Sequence, residues 1–130
     1  MQKKLHSVLL IDDDEPTNYL NKMTLEEIGC IEEIFIFQSA SKALDYLNTS
    51  TYCPDLILLD INMPAMNGWE FLDVYEQLPS EKRGKVVIVM LTTSFNPDDR
   101  LRAGQIASVS GFMNKPLTKE TLKEILVEYF

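Results

Sequence analysis

Histidine occurs once, at His6, and cysteine only twice, at Cys30 and Cys53. None of the three stands at metal-ligand spacing from another, which excludes a Cys/His zinc centre. The two thiols are expected to be reduced and unpaired, and His6 to be a strand-edge residue that carries no phosphoryl group. Basic residues are also scarce: 12 Lys and Arg against 20 Asp and Glu leave a net charge of −8. A nucleic-acid partner needs a basic footprint, so no direct nucleic-acid binding is expected, nor attraction to an anionic membrane surface. No apolar run approaches membrane-spanning length, and no cleavable-leader pattern is visible, so a cytoplasmic location is expected. Repeats, low-complexity tracts and linkers are missing too. The 130 residues are therefore expected to form one domain, 1–130, with no second one. Its 45% hydrophobic content is ordinary for a soluble domain.

Short β-rich runs alternate with helical stretches. Strands are expected at 7–12, 34–37, 55–60, 86–91 and around 111–113. Their apolar runs lack period-two alternation, which suits strands covered on both faces. Helices are expected over 16–28, 39–47, 68–78, from Asn96 onward, and over 118–129. In the first, Tyr19, Leu20, Met23 and Ile28 recur near helical spacing, and Gly29 stops it. In the fourth, Asn96 caps, Pro97 follows, and Asp98 and Asp99 stand at the positive end of the helix dipole. Five βα units in strict alternation imply a parallel sheet with right-handed crossovers.

In such sheets ligands bind beyond the carboxyl ends of the strands. Here those ends are polar. Strand one runs into Asp12-Asp13-Asp14-Glu15, strand three ends in Asp60 with Asn62 following, strand four ends in Thr92-Thr93-Ser94, and strand five runs into Lys115-Pro116. Carboxylates forced together repel and raise one another's pKa, and a hard cation relieves this. Mg²⁺ prefers oxygen ligands and often shares one or two carboxylates with a phosphate. A carboxylate can also act as nucleophile and form an aspartyl-phosphate. A lysine to neutralise phosphoryl oxygens and a threonine hydroxyl to bond one complete the parts needed for phosphoryl transfer.

With these pieces the chain resembles the response-regulator receiver family from Val8 to its final helix. The resemblance rests on Asp12-Asp13, on Asp60-Ile61-Asn62-Met63-Pro64 with Gly68, on Thr92, and on Lys115-Pro116, in that order. Each piece alone has an ordinary reading as a cap, a strand residue or a loop residue. Their coincidence at adjacent strand ends is what makes the pattern specific. The resemblance implies an α/β, flavodoxin-like, doubly wound sheet of five parallel strands in the order 2-1-3-4-5, with five helices.

It also implies roles. Asp60 is the phosphoacceptor, served by a sensor histidine kinase or a histidine phosphotransfer protein. Asp13 is the direct Mg²⁺ carboxylate, Asp12 assists it, Asp60 completes the carboxylate set, and Asn62 offers its backbone carbonyl. Thr92 senses the phosphoryl group, Lys115 pairs with it, and the Lys115–Pro116 bond is cis. Phe112 stands at the switch-aromatic position, though plain core packing is an equal reading of it. The downstream protein partner is not named by the sequence. Such a module is not an enzyme that turns over external substrates. Two positions depart from the commonest pattern: Thr93, where a small residue is usual and access to Asp60 is narrowed, and the extra acids Asp14-Glu15.

The alternative is a phosphatase of haloacid-dehalogenase type, which shares the Asp, Lys, Thr and Mg²⁺. That class carries a second Asp two residues after the nucleophile, where this chain has Asn62. An FMN carrier would need a Ser/Thr/Gly-rich first loop in place of Asp12 to Glu15.

Overall fold

The computed structural model describes residues 4–93 and 96–130. Ser94, expected to close strand four, lies outside the described residues. Five parallel strands form one sheet: β1 (Leu5–Ile11), β2 (Ile31–Phe37), β3 (Leu56–Asp60), β4 (Val87–Thr92) and β5 (Gly111–Asn114). Their order is β2-β1-β3-β4-β5, as expected. Six helices connect and flank them: α1 (Glu15–Ile28), α2 (Ala40–Thr49), α3 (Gly68–Tyr75), α4 (Ser80–Arg83), α5 (Pro97–Gly104) and α6 (Lys119–Tyr129).

The central strands β1, β3 and β4 are almost wholly buried because both faces are covered, while the edge strand β2 carries the exposed Glu32 and Glu33. Leu9, Ile11, Ile57, Leu59, Ile88 and Met90 pack with Ala43 and Leu47 of α2, Phe71 and Leu72 of α3, and Ala103 of α5. The alternate residues Val8, Leu10, Leu58, Val89 and Leu91 pack with Leu25 of α1 and with Leu122, Ile125 and Leu126 of α6. Burying one such side chain contributes roughly 1.5–3 kcal/mol, so these two layers dominate stability.

Five helices are expected from the sequence and six are found among the described residues. The expected helix over 68–78 stops at Tyr75. The Gln77 and Leu78 amides then donate to the carbonyls of Val74 and Tyr75, tightening the chain as Pro79 approaches. Ser80–Arg83 form one further turn, with Tyr75 Oη donating to the Arg83 carbonyl at 3.3 Å. Four polar residues carry no periodicity, which is why the sequence reading passes over them. Two strands also start earlier than expected, β1 at Leu5 and β2 at Ile31, and two start a residue later, β3 at Leu56 and β4 at Val87.

The face of α1 is a larger correction. Tyr19, Leu20 and Met23 are 63%, 60% and 42% exposed, while Asn18, Asn21 and Leu25 face inward. Helix start and phase are set at the N-terminus. Asp14 caps α1, its Oδ2 accepting from the Thr17 amide at 3.1 Å and from the Thr17 hydroxyl. Gly29, at φ 77, ends the helix in the left-handed region. The cap expected at Asn96 forms, accepting from the Asp98 amide, and Thr118 caps α6 by accepting from the Thr121 amide. Cys30 and Cys53 are both free.

Candidate functional site

Four of the polar residues predicted at the strand ends, Asp12, Asp13, Asp60 and Lys115, converge where the order reverses between β1 and β3. Asp12 follows β1 directly and is buried. Its amide donates to the Phe37 carbonyl at 3.1 Å, and its Oδ1 accepts from the Asp14 amide at 2.9 Å. Asp60 ends β3, opposite Leu91 of β4, and is 8% exposed. Asp13 is exposed at the rim. One carboxylate oxygen from each of Asp12, Asp13 and Asp60 lies within 4.8 Å of the others.

The Lys115 ammonium closes this cluster, 2.7 Å from Asp12 Oδ2 and 3.1 Å from Asp60 Oδ1. It reaches there because its amide donates to the Thr92 carbonyl at 2.8 Å, which ties the end of β5 to the end of β4. The Lys115–Pro116 peptide is cis. Burial, joined by the charge of Asp12, raises the Asp60 carboxyl above its ordinary pKa against the pull of Lys115. Burial works to lower the Lys115 pKa, but the carboxylates of Asp12 and Asp60 outweigh it and the ammonium is held more firmly than usual.

Gly68 determines how close α3 comes to this site. Its amide donates to the Ile61 carbonyl at 2.8 Å, and a Cβ there would stand 2.6 Å from the Asp60 carbonyl oxygen. Only glycine permits that approach. Asn67 caps α3 in a reciprocal box with Glu70.

The remaining predicted residues are dispersed. Thr92 is fully buried at the end of β4, one residue past the partner of Asp60. The Asn62 side chain is exposed in the loop after β3, and Met63 packs in the core. Thr93 is exposed and lines a cleft of about 300 Å³ with Leu20, Asn21, Lys115, Pro116 and Leu117. Phe112 is half-buried on the α2–α3–α5 side of the sheet, with the Arg100 guanidinium 5.0 Å from its ring centre. Trp69 is buried beneath the Arg102 guanidinium at 4.4 Å. Three participants escape the sequence reading: Asn18, whose Nδ2 donates to the Asp12 carbonyl at 2.7 Å, and the two arginines. Only the phase of α1 could have revealed Asn18, and its exposed apolar residues misdirect that phase.

A doubly wound sheet with three acids and a lysine at its switch point defines a class of fold and site, and sequence comparison identifies the family. Residues 8–127 match the family model of the response regulator receiver domain, and the chain belongs to that family. A two-component response regulator from Cytophaga hutchinsonii superposes with a TM-score of 0.90 at 34% identity, covering 98% of each chain. Response regulator Rcp1 of Synechocystis is 33% identical over 124 residues, 91% of this chain and 80% of Rcp1. The transcriptional regulatory protein CitT of Halalkalibacterium halodurans is 27% identical over 126 residues. That match takes in 97% of this chain and only 53% of CitT. The haloacid-dehalogenase alternative finds no support in these relationships. Among the described residues, no helix is long and apolar enough to cross a membrane.

Proposed function

We propose that this receiver domain, taken as residues 1–130, accepts a phosphoryl group on Asp60 in a Mg²⁺-dependent step. The observation that carries this reading is the placement of a buried Asp60 within 3.1 Å of the Lys115 ammonium and beside the carboxylates of Asp12 and Asp13. An all-oxygen donor set, in which burial and then the charge of Asp12 raise the Asp60 pKa, fits a hard divalent cation. Asp13 would bind Mg²⁺ directly, with Asp12, Asp60 and the Asn62 backbone carbonyl completing the protein's share. The ion, when bound, neutralises charge on the transferring phosphoryl oxygens.

The step itself needs little from the protein beyond positioning. A carboxylate oxygen of Asp60 attacks phosphorus, the P–N bond of a donor phosphohistidine breaks, and the imidazole leaves with the electron pair. Lys115 then pairs with the phosphoryl group, and the Thr92 hydroxyl bonds one of its oxygens. The donor is a sensor histidine kinase or a histidine phosphotransfer protein. The exposed Tyr19, Leu20 and Met23 of α1, next to the cleft that Lys115 lines, suit docking of such a protein. The modified domain presents an altered face to a downstream protein. It acts as a stoichiometric acceptor, without turnover of external substrates.

Incubation with acetyl phosphate and Mg²⁺ should add one phosphoryl group, seen by intact mass. Removing Mg²⁺ or introducing Asp60→Asn should abolish it. Equal labelling of Asp60→Asn would refute the assignment, and sustained phosphate release would favour a hydrolase.

A further inference from the structure

We propose that Asn18 is a positioning residue that aims the Asp13 carboxylate at the cation. This rests on the reading of Asp12 and Asp13 as metal carboxylates.

Asn18 sits one turn into α1 and is 1% exposed. Its Nδ2 donates to the backbone carbonyl of Asp12 at 2.7 Å, while its Oδ1 is buried with no hydrogen-bond partner among the described residues. An acceptor left unmade in the interior costs stability, and a leucine would fill such a site without that cost. The position therefore favours a donor. The amide orientation is not arbitrary, since the opposite flip would face one oxygen with another.

What the donor holds is a peptide plane. The Asp12 carbonyl and the Asp13 amide belong to one planar unit, so fixing the first orients the second. The other side of Asp12 is already pinned by its amide bond to Phe37, and its carboxylate by the Asp14 amide and Lys115. Asn18 supplies the remaining backbone restraint, and Asp13 is the residue that follows it. Asp13 is exposed, so its direction depends on the backbone that carries it. The same bond locks the phase of α1 to the acidic loop, which turns Asn18 inward and Tyr19, Leu20 and Met23 outward.

The test is Mg²⁺ affinity by calorimetry on the whole chain, alongside the urea midpoint in EDTA, for the parent, Asp13→Ala, Asn18→Leu and Asn18→Ala. Outer-sphere partners of this kind are worth about 10–100-fold in metal affinity. Both Asn18 variants should lose roughly that much, and Asn18→Leu should unfold near the parent's midpoint because it also removes the unpaired Oδ1. A packing role predicts the reverse, a shifted midpoint with unchanged affinity, and that result would overturn the proposal. An independent check uses the unmutated protein: with Mg²⁺ present, the Asn18 side-chain amide should show one proton protected from exchange. Two freely exchanging protons would also overturn it. Should the parent fail to bind Mg²⁺, or Asp13→Ala bind as well as the parent, the functional reading itself fails. If those two behave as expected and Asn18→Leu binds like the parent, only the role of Asn18 falls.

Discussion

Lys115 Nζ lies 3.1 Å from Asp60 Oδ1. The same nitrogen is 2.7 Å from Asp12 Oδ2, so one ammonium holds two buried carboxylates together. Removing one member of such a group leaves the others uncompensated, at a cost of about 3–5 kcal/mol. Lys115→Met should therefore lower the urea midpoint in EDTA sharply. Added Mg²⁺ should recover more stability in the variant than in the parent, because it meets a less neutralised site. Equal Mg²⁺ stabilisation of both proteins would argue that the ammonium and the cation do not share these carboxylates.

Asp60 gives the site a pH signature. Burial and the charge of Asp12 raise its carboxyl above the ordinary value, so the folded chain holds that proton more tightly than the unfolded chain. Its contribution to stability is present below the ordinary carboxylate pKa and is lost as pH rises through the raised value. In EDTA, Asp60→Asn should thus gain on the parent as pH climbs across that window and hold the gain above it. A difference in stability that is constant with pH would contradict the shift.

The βα alternation and the carboxylate–lysine cluster were legible because each rests on strand ends, where an apolar run meets Asp12, Asp60, Thr92 or Lys115; the sheet order came only with the family resemblance. The phase of α1 was not. Tyr19, Leu20 and Met23 mimic a core stripe, and only the cap at Asp14 and the bond from Asn18 to Asp12 show which side faces the sheet. The turn at Ser80–Arg83 was hidden for a different reason: four polar residues held by contacts from Tyr75 leave no pattern to read.

Gly68→Ala should be costly despite its small size. The new Cβ would meet the Asp60 carbonyl oxygen at 2.6 Å, backbone against backbone, where no side chain can swing aside. Overpacking of this kind costs typically about 1–3 kcal/mol. Relief requires Asp60 or α3 to move, so labelling by acetyl phosphate should fall together with the urea midpoint. A variant as stable and as readily labelled as the parent would show that the approach is looser than it stands here.

The exposed face of α1 should separate donor recognition from chemistry. Replacing Tyr19 and Leu20, 63% and 60% exposed, with serine removes apolar surface that the fold leaves mostly open, so stability should change by no more than about 0.5 kcal/mol per site. Transfer from a phosphohistidine protein should slow, while labelling by acetyl phosphate should persist. Slowing of both in parallel would place the face in the chemistry and not in docking.

Phosphorylation of Asp60 should loosen α5 from its neighbours. Of its residues this helix buries only Ala103, and two guanidinium–ring contacts hold it, Arg100 over Phe112 at 5.0 Å and Arg102 over Trp69 at 4.4 Å. Each such contact is worth about 0.5–1 kcal/mol at an exposed site, small enough for a local change to overcome. A phosphoryl group adds charge of about −1.5 to −2 and should draw in Lys115 and the Thr92 hydroxyl. Thr92 and Asn114 are register partners, and Phe112 lies two residues before Asn114 on β5, so the pull reaches the strand that faces α5. Phe112 lacks a hydroxyl to hold it outward and already packs against the core, so the expected motion is of Arg100 and α5 across its ring. Trp69 is the sole tryptophan and reports the other contact. Beryllofluoride with Mg²⁺ should shift its emission in the parent, shift it less in Arg102→Ala, and leave Asp60→Asn unchanged. If Trp69 emission and the Phe112 ring signals are the same with and without beryllofluoride while a partner's binding still changes, the signal leaves Asp60 by a route other than α5.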